Sequence, residues 1–373
     1  MSELIALSSI SSIPREQWDA LLPDNAAPFL RYDFLHALEA TGCVSPKTGW
    51  TPSHLISLDD TGTPNLVLPA YIKDHSYGEY VFDWQWAEAY VSYGMQYYPK
   101  LLLGVPFTPV PGPRWLSTTP VDTQSLAQGL SDFCSSKGLS GWHMNFPAGE
   151  LTPDAGASER KGCQFIWRNN NFSSFDDFLA TFASRKRKNL LKERRRITEQ
   201  GLKVSRFEGE GITPEMIDIF YHCYCDTYYR RRSHPYLTPG FFHQLRETMA
   251  DSMMLVLAVD EEGPCAAALC FFDDDALYGR YWGCLRDYDA LHFEACYYQG
   301  IEFCIEKNLG MFNPGTQGEH KISRGFAPEF TRSYHWLAHP ELHDAIGRFT
   351  REEAAYIEEY AAAASERLPF RRD

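Results

Sequence analysis

Three polar clusters in this chain of 373 residues place acids, imidazoles and cations among aromatic rings. The first is HSYGEYVFDW, His75 to Trp84. Strand spacing would put Tyr77, Glu79 and Val81 on one face and Gly78, Tyr80 and Phe82 on the other. An acid flanked by rings either pairs in a core or lines a cleft, and Glu79 and Asp83 are expected to line a cleft. The second cluster joins Arg280, in the strand-like LYGRYWGC, to His292 and Glu294 in LHFEACYYQG. A half-buried arginine on a strand needs a carboxylate partner, and Glu294 is the expected one. In a chemical reading, Glu294 or His292 accepts a proton from an incoming amine. The third cluster follows the strand-like MFNPG and holds Gln317, Glu319, His320, Lys321 and Arg324. There, Lys321 and Arg324 beside glycine-exposed amides can hold a phosphate or a carboxylate.

A fourth feature is cationic. Arg185 to Arg196 reads RKRKNLLKERRR, eight bases and one acid in a chain whose formal net charge is −14. So concentrated a positive element on an acidic body points to a specific anionic contact rather than general adhesion. The segment has helical spacing, with Ser184 as the expected N-cap and Gly201 as the stop. Arg185, Lys188, Lys192 and Arg195 fall near one face, while Leu190, Leu191 and Ile197 supply an apolar seam. One acid among eight bases leaves few i,i+4 partners within the helix.

Other chemistries find no support. His222-Cys223-Tyr224-Cys225-Asp226 suggests a metal site, but Cys-x-Cys on a helix points the thiols apart and no second pair has zinc spacing. No metal is expected. There is no phosphate-binding Walker loop, no GxGxxG after a strand and no GxSxG elbow. The acidic balance argues against a generic polyanion binder. No run approaches the roughly 20 apolar residues of a membrane-spanning helix, and the N-terminal stretch does not read as a signal peptide. The ten cysteines lack framework spacing and read as reduced thiols of a cytoplasmic protein.

The elements that must position these clusters read as mixed α/β. In the first half come a helix from Arg31 to Ala40, strands HLISL and NLVLPAYIK, a short helix at Tyr97 to Leu103, a helix Thr123 to Lys137 and the strand WHMNFP. In the second half come the basic helix, KVSRF, helices Pro214 to Tyr229 and Pro239 to Ala250, and strands MMLVLAVD, CAAALCFF and ALYGRYWGC. A helix His292 to Lys307 and the strand MFNPG follow, and an alanine-rich helix Pro340 to Glu366 closes the chain. The halves correspond: SYGEYVFDW matches LYGRYWGC, and each precedes a helix bearing a Tyr-Tyr pair, Tyr97 with Tyr98 and Tyr297 with Tyr298. Duplication of one α/β domain is the expected architecture, with domains 1–165 and 166–373.

These motifs, with PFTPVPGPR and GEHKISRGF, resemble the FemAB-like family within the GNAT acyltransferase superfamily. The resemblance runs from Phe29 to about His335. It implies tandem GNAT-like domains with an inter-domain cleft and an acyl or aminoacyl transfer to an amine. The donor it implies is aminoacyl-tRNA or acyl-CoA, with no tightly bound cofactor, and the acceptor is a small-molecule or peptide amine. The Arg/Gln-x-x-Gly-x-Gly/Ala turn by which acyl-CoA enzymes of that superfamily grip pyrophosphate is absent, since Gly279 and Gly283 bracket a strand. The stretch from Lys321 to Gly325 is similar to a Phe-Lys-x-x-Phe-Gly ending, with His320 in the place of the Phe. Glu294 or His292 would then take the proton, while Arg280, Lys321 and Arg324 would hold anionic parts of substrate. Arg185, Lys186, Arg187 and Lys188 would hold the donor's anionic groups. Glu79, Asp83, Tyr297, Gln317 and Glu319 complete the expected substrate-binding set. A CoA-dependent acetyltransferase and a non-catalytic module binding a cell-wall precursor are the alternatives.

Overall fold

A computed structural model of the chain describes residues 4–24, 26–316 and 318–371. It contains two compact units, Met1–Cys163 with Phe330–Glu359, and Gln164–Glu329 with Tyr360–Asp373. Residues 330–359, expected in the second domain, therefore belong to the first unit. The reason is strand pairing: Ser333 to Leu337 run antiparallel to Asn145 to Gly141, residue against residue.

In the first unit, strands Trp50–Pro52, Ala70–Lys73, Lys100–Leu103 and Gly141–Asn145 lie side by side in that order. The last two are parallel, with Leu101 opposite Trp142 and Leu103 opposite Met144. Parallel neighbours require a crossover, and the helix Thr123–Lys137 lies within it. Asp122 caps that helix by accepting the Gln124 N–H, and Gly138 ends it in the left-handed region. Its buried face, Leu126, Ala127, Leu130 and Cys134, packs on Leu101, Leu103, Trp142 and Met144.

The second unit repeats the device. Strands Lys203–Glu208, Met253–Asp260, Gly263–Phe272 and Ala276–Cys284 pair antiparallel in succession, and Met311–Asn313 then lies parallel to Ala276–Cys284. The crossover here carries the helical segment 291–307. A parallel pair spanned by a helix thus occurs once in each unit, which is the physical content of the expected duplication.

The correspondence inside the repeat differs from the expected one. The counterpart of Ala276–Cys284 is Lys100–Leu103, and His75 to Asp83 is a loop leading into the helix Trp84–Ser92. Gly78 (φ +80°) and Tyr80 (φ +60°) take left-handed conformations that a strand cannot hold. A side chain at Gly78 would also lie 2.6 Å from the Phe107 ring. The expected helix at Tyr97 to Leu103 is likewise a strand. KLLL is buried on both faces, so it reads as a continuous apolar run rather than an alternating one.

One local feature shapes the site. Pairing between the parallel strands of the second unit covers only Ala276 with Met311, Leu277 with Phe312 and Tyr278 with Asn313. Pro314 comes next, crowding Gly279, and a proline has no N–H for the ladder. Beyond Gly279 the strand is backed by the helix Pro214–Arg230, which approaches so closely that a Cβ on Gly283 would lie 1.8 Å from the Cys223 carbonyl oxygen. Gly283→Ala should destabilise the protein by about 3 kcal/mol, read from urea unfolding. Unchanged stability would show that this helix is not seated on the strand.

Candidate functional site

The chemistry-bearing groups of the second unit gather where the segment 291–307 begins. That segment opens with Leu291–Phe293, continues as a π-helical turn Glu294–Tyr298 and becomes α-helical at Gln299–Lys307. A π turn shifts the facing of the residues beyond it and is frequent at functional sites. His292 lies 5.3 Å from the Trp282 ring, 5.2 Å from Tyr297 and 5.7 Å from His320, centroid to centroid. Tyr297 Oη and His320 Nε2 share a hydrogen bond of 2.7 Å. Among the described residues neither ring nitrogen of His292 has a hydrogen-bond partner. Burial, with the positive charges of Lys321 and Arg324 and the neighbouring imidazole of His320, pushes the His292 pKa down to about 4. At neutral pH its imidazole is therefore uncharged, with a lone pair open, and is a weaker base than an imidazole in water.

The 3₁₀ segment Glu319–Arg324 supplies the facing groups and ends at the left-handed Gly325. Lys321 is buried, donates to the Gly315 carbonyl at 2.6 Å, and is pushed down by that burial to about 7. It is a weaker anion clamp than the sequence suggests, because at neutral pH much of its charge is gone. Arg324 lies over the Phe293 ring at 3.3 Å and donates to Tyr298 Oη, the His320 carbonyl and Glu193. With its donors occupied, it braces the segment rather than facing an anion. Glu319 is exposed and turned toward Arg367 and Tyr360. Gln317 lies outside the described residues.

Glu294 has a different partner from the expected Arg280. Arg194 on the helix Ser184–Glu199 donates to both of its oxygens, at 3.1 and 3.0 Å, and Gln299 donates to one of them at 2.7 Å. Arg194 also donates to Glu302 at 2.6 Å and lies over the Phe175 ring. A carboxylate so engaged positions the helix and is poorly placed to receive a proton. Arg280 instead lies beside the Tyr281 ring at 5.5 Å.

The basic helix also departs from expectation at its start. Ser184 is its first residue, and Ala183, at the N-cap, offers no side-chain bond. Leu190 and Ile197 form the apolar seam, while Leu191 is exposed. Arg194 turns inward to Glu294, and Arg196 pairs with the exposed Asp289 at the surface. Among the described residues Arg185, Lys186, Arg187, Lys188, Lys192 and Arg195 form no ion pair. Bases in the first turn oppose the helix dipole, so an anion there would relieve two unfavourable terms together.

The first unit treats its acids otherwise. Glu79 and Asp83 do not line a cleft; both are buried against Lys100, which donates to them and to Ser76. Burial opposes ionisation of each carboxyl. At Asp83, Lys100 and His143 outweigh it and hold the carboxyl below the usual range. At Glu79 burial prevails and pushes the carboxyl up. From Asp83 the bonds continue through Tyr97, His143 and His335 to Ser333. The sequence reading missed Arg194, Glu193, Lys100 and this histidine pair. Only the shortage of acids inside the basic helix signals that an inward base needs carboxylates from elsewhere.

The FemAB-like family, described as peptidoglycan biosynthesis/recognition, matches residues 9–372. No curated protein matches the sequence. The crystal structure of FemX superposes with a TM-score of 0.53 at 12% identity, covering 90% of this chain and 98% of that one. The C-terminal domain of a protein named as a lysylphosphatidylglycerol synthetase, from Agrobacterium fabrum, gives 0.54 at 10% identity, covering 89% and 94%. At such identities the likeness is one of fold. Among the described residues no helix is long and apolar enough to cross a membrane.

The state of Lys321 can be read from stability. Its pKa falls from 10.5 to about 7 on folding. Between those values the unfolded chain holds a proton that the folded chain lacks, so this contribution is full above pH 10.5 and is lost as pH falls toward 7. The slope approaches about 1.4 kcal/mol per pH unit. Urea unfolding from pH 7 to 10 should show this rise in the native protein and a flatter profile for Lys321→Met. Parallel profiles would mean that Lys321 is solvated.

Proposed function

Because the chain belongs to the FemAB-like family, we propose that it is an N-acyltransferase of Fem type. An acceptor amine attacks the carbonyl of an activated acyl donor, and the new amide forms as the donor's ester or thioester bond breaks. The amine loses one proton, which His292 accepts and the departing hydroxyl or thiol takes up. The observation that carries this reading is His292 itself, uncharged, with no hydrogen bond among the described residues, and set beside the Tyr297–His320 pair. No covalent enzyme intermediate is required. The site needs only to hold both substrates in line and receive the proton. Glu294 is a positioning residue in this scheme, fixed by Arg194.

Aminoacyl-tRNA and acyl-CoA both carry anionic phosphates, and the exposed bases of the helix Ser184–Glu199 suit either. From Arg185 to Arg195 they extend about 15 Å along the helix, which favours a polynucleotide backbone over a single pyrophosphate. The acceptor is a small-molecule or peptide amine, and the family description points to a peptidoglycan precursor. Both donor classes are made in the cytoplasm, where the reaction is placed.

The test is a transfer assay on purified protein with bulk aminoacylated tRNA, or with acyl-CoA, and a desalted cell extract as acceptor source. Amide products would be identified by mass spectrometry. A product lost on RNase treatment supports the Fem-type reading; one formed only with acyl-CoA moves the assignment to a CoA-dependent enzyme. No product with either donor would refute transfer. With a product in hand, His292→Gln should lower kcat by about 10²- to 10⁴-fold. Full activity of that variant would remove the role given to His292. Reversing Lys186, Arg187 and Lys188 to Glu should weaken donor binding and flatten its dependence on log salt by about 2 to 3. An unchanged salt slope would exclude the helix as the donor's anchor.

A further inference from the structure

The first unit carries a cleft of about 510 Å³ whose walls include Phe82, Trp84 and Tyr356. These rings are 58%, 38% and 72% exposed, an unusual amount of aromatic surface to leave in water on one small area. The arrangement is rigid. Arg160 donates to both carboxylate oxygens of Glu353, at 2.7 and 2.8 Å, and to the Phe82 carbonyl at 2.6 Å. Its guanidinium also lies 5.1 Å from the Trp86 ring and 5.9 Å from Phe349. Tyr77 packs against Trp84 at 4.9 Å and extends the aromatic wall.

The charge of this cleft is one-sided. Glu353 cancels Arg160, while Glu352, exposed in the lining, forms no ion pair among the described residues. One carboxylate without an ion pair among the described residues thus lines the same cleft as three exposed rings, and ring faces are themselves negative. A carboxylate with exposed aromatic faces is the chemistry that recognises an organic ammonium. We propose that this cleft binds an organic ammonium group, with Tyr356 and Trp84 offering ring faces and Glu352 the counter-charge.

An amine held by a carboxylate stays protonated and is a poor nucleophile, so the cleft is a recognition site and not a place of reaction. The proposal goes beyond the transferase reading and does not depend on it: binding is measured with no donor present. Isothermal titration of the full chain at pH 7 would compare 1,5-diaminopentane with its uncharged counterpart 1,5-pentanediol and with N-acetylglucosamine. The diamine should bind saturably, and neither neutral compound should bind at tenfold higher concentration. Glu352→Gln should weaken the diamine by about tenfold and Tyr356→Ala by at least about threefold. Both positions are exposed on the helix Pro340–Ser365, so the circular dichroism spectrum should be unchanged. Absence of saturable heat, equal binding of the diol, binding of the sugar in place of the diamine, or indifference to both substitutions would each overturn the proposal.

Discussion

Arg194 ties two elements of the second unit together by charge, beside the packing of Leu190 and Ile197 and the Tyr298–Glu193 hydrogen bond that also hold them. One is a helix so rich in bases that it repels itself, and the other begins with a π turn whose first residue is a buried acid. By donating to Glu294 and Glu302 at once, the guanidinium bridges two carboxylates a helical stretch apart, one positive charge against two negative ones. Glu294 is buried while Arg194 and Glu302 are partly exposed, so removing Arg194 leaves an uncompensated buried carboxylate at a cost below the ~3 to 5 kcal/mol of a fully buried pair. His292, just before the π turn, and Tyr297 within it face the segment Glu319–Arg324, which Arg324 braces through Glu193 of the same basic helix. The helix has two faces and two tasks: the inward Arg194 organises the site, and outward bases remain for an anion.

The two units use one architecture to different ends. In the first, a buried lysine, two carboxyls, a tyrosine and two histidines are joined by hydrogen bonds near the parallel strands, with Glu79 Oε1 and Asp83 Oδ1 left without a partner among the described residues. Such a network fixes its surroundings and offers few free groups. Near the parallel strands of the second unit, by contrast, lies an imidazole with no hydrogen-bond partner among the described residues, while burial weakens the charge of a lysine in each unit, Lys321 here and Lys73 in the first. On the proposed function that open imidazole would put the chemistry in the second unit, and the proposed ammonium cleft would give the first a recognition role.

Much of the fold was legible because burial leaves periodic marks. The helices Thr123–Lys137, Pro214–Arg230 and Pro239–Met249 carry caps or prolines at their starts and apolar faces at helical spacing. HSYGEYVFDW misled because alternation alone suggested a strand, whereas Gly78 and Tyr80 adopt left-handed conformations imposed by packing against Phe107. The site was legible in composition but not in pairing. His292, Tyr297, His320 and Lys321 do converge, yet nothing local distinguishes Arg194 from seven other bases on its helix. A π turn is equally invisible, since a single wide turn hardly alters an apolar period. Lys100 falls in the stretch expected to be a short helix, and its role emerges only when the carboxyls of a distant loop are seen to surround it.

The central claim is that folding keeps His292 uncharged and available. Long-range ¹H–¹⁵N correlation spectra of histidine-labelled protein, assigned with His292→Gln, measure this directly. The account predicts that the His292 ring stays neutral from pH 8 down to about 5 and takes up its proton only near pH 4. A ring that titrates near 6.5, like a histidine in water, would contradict it.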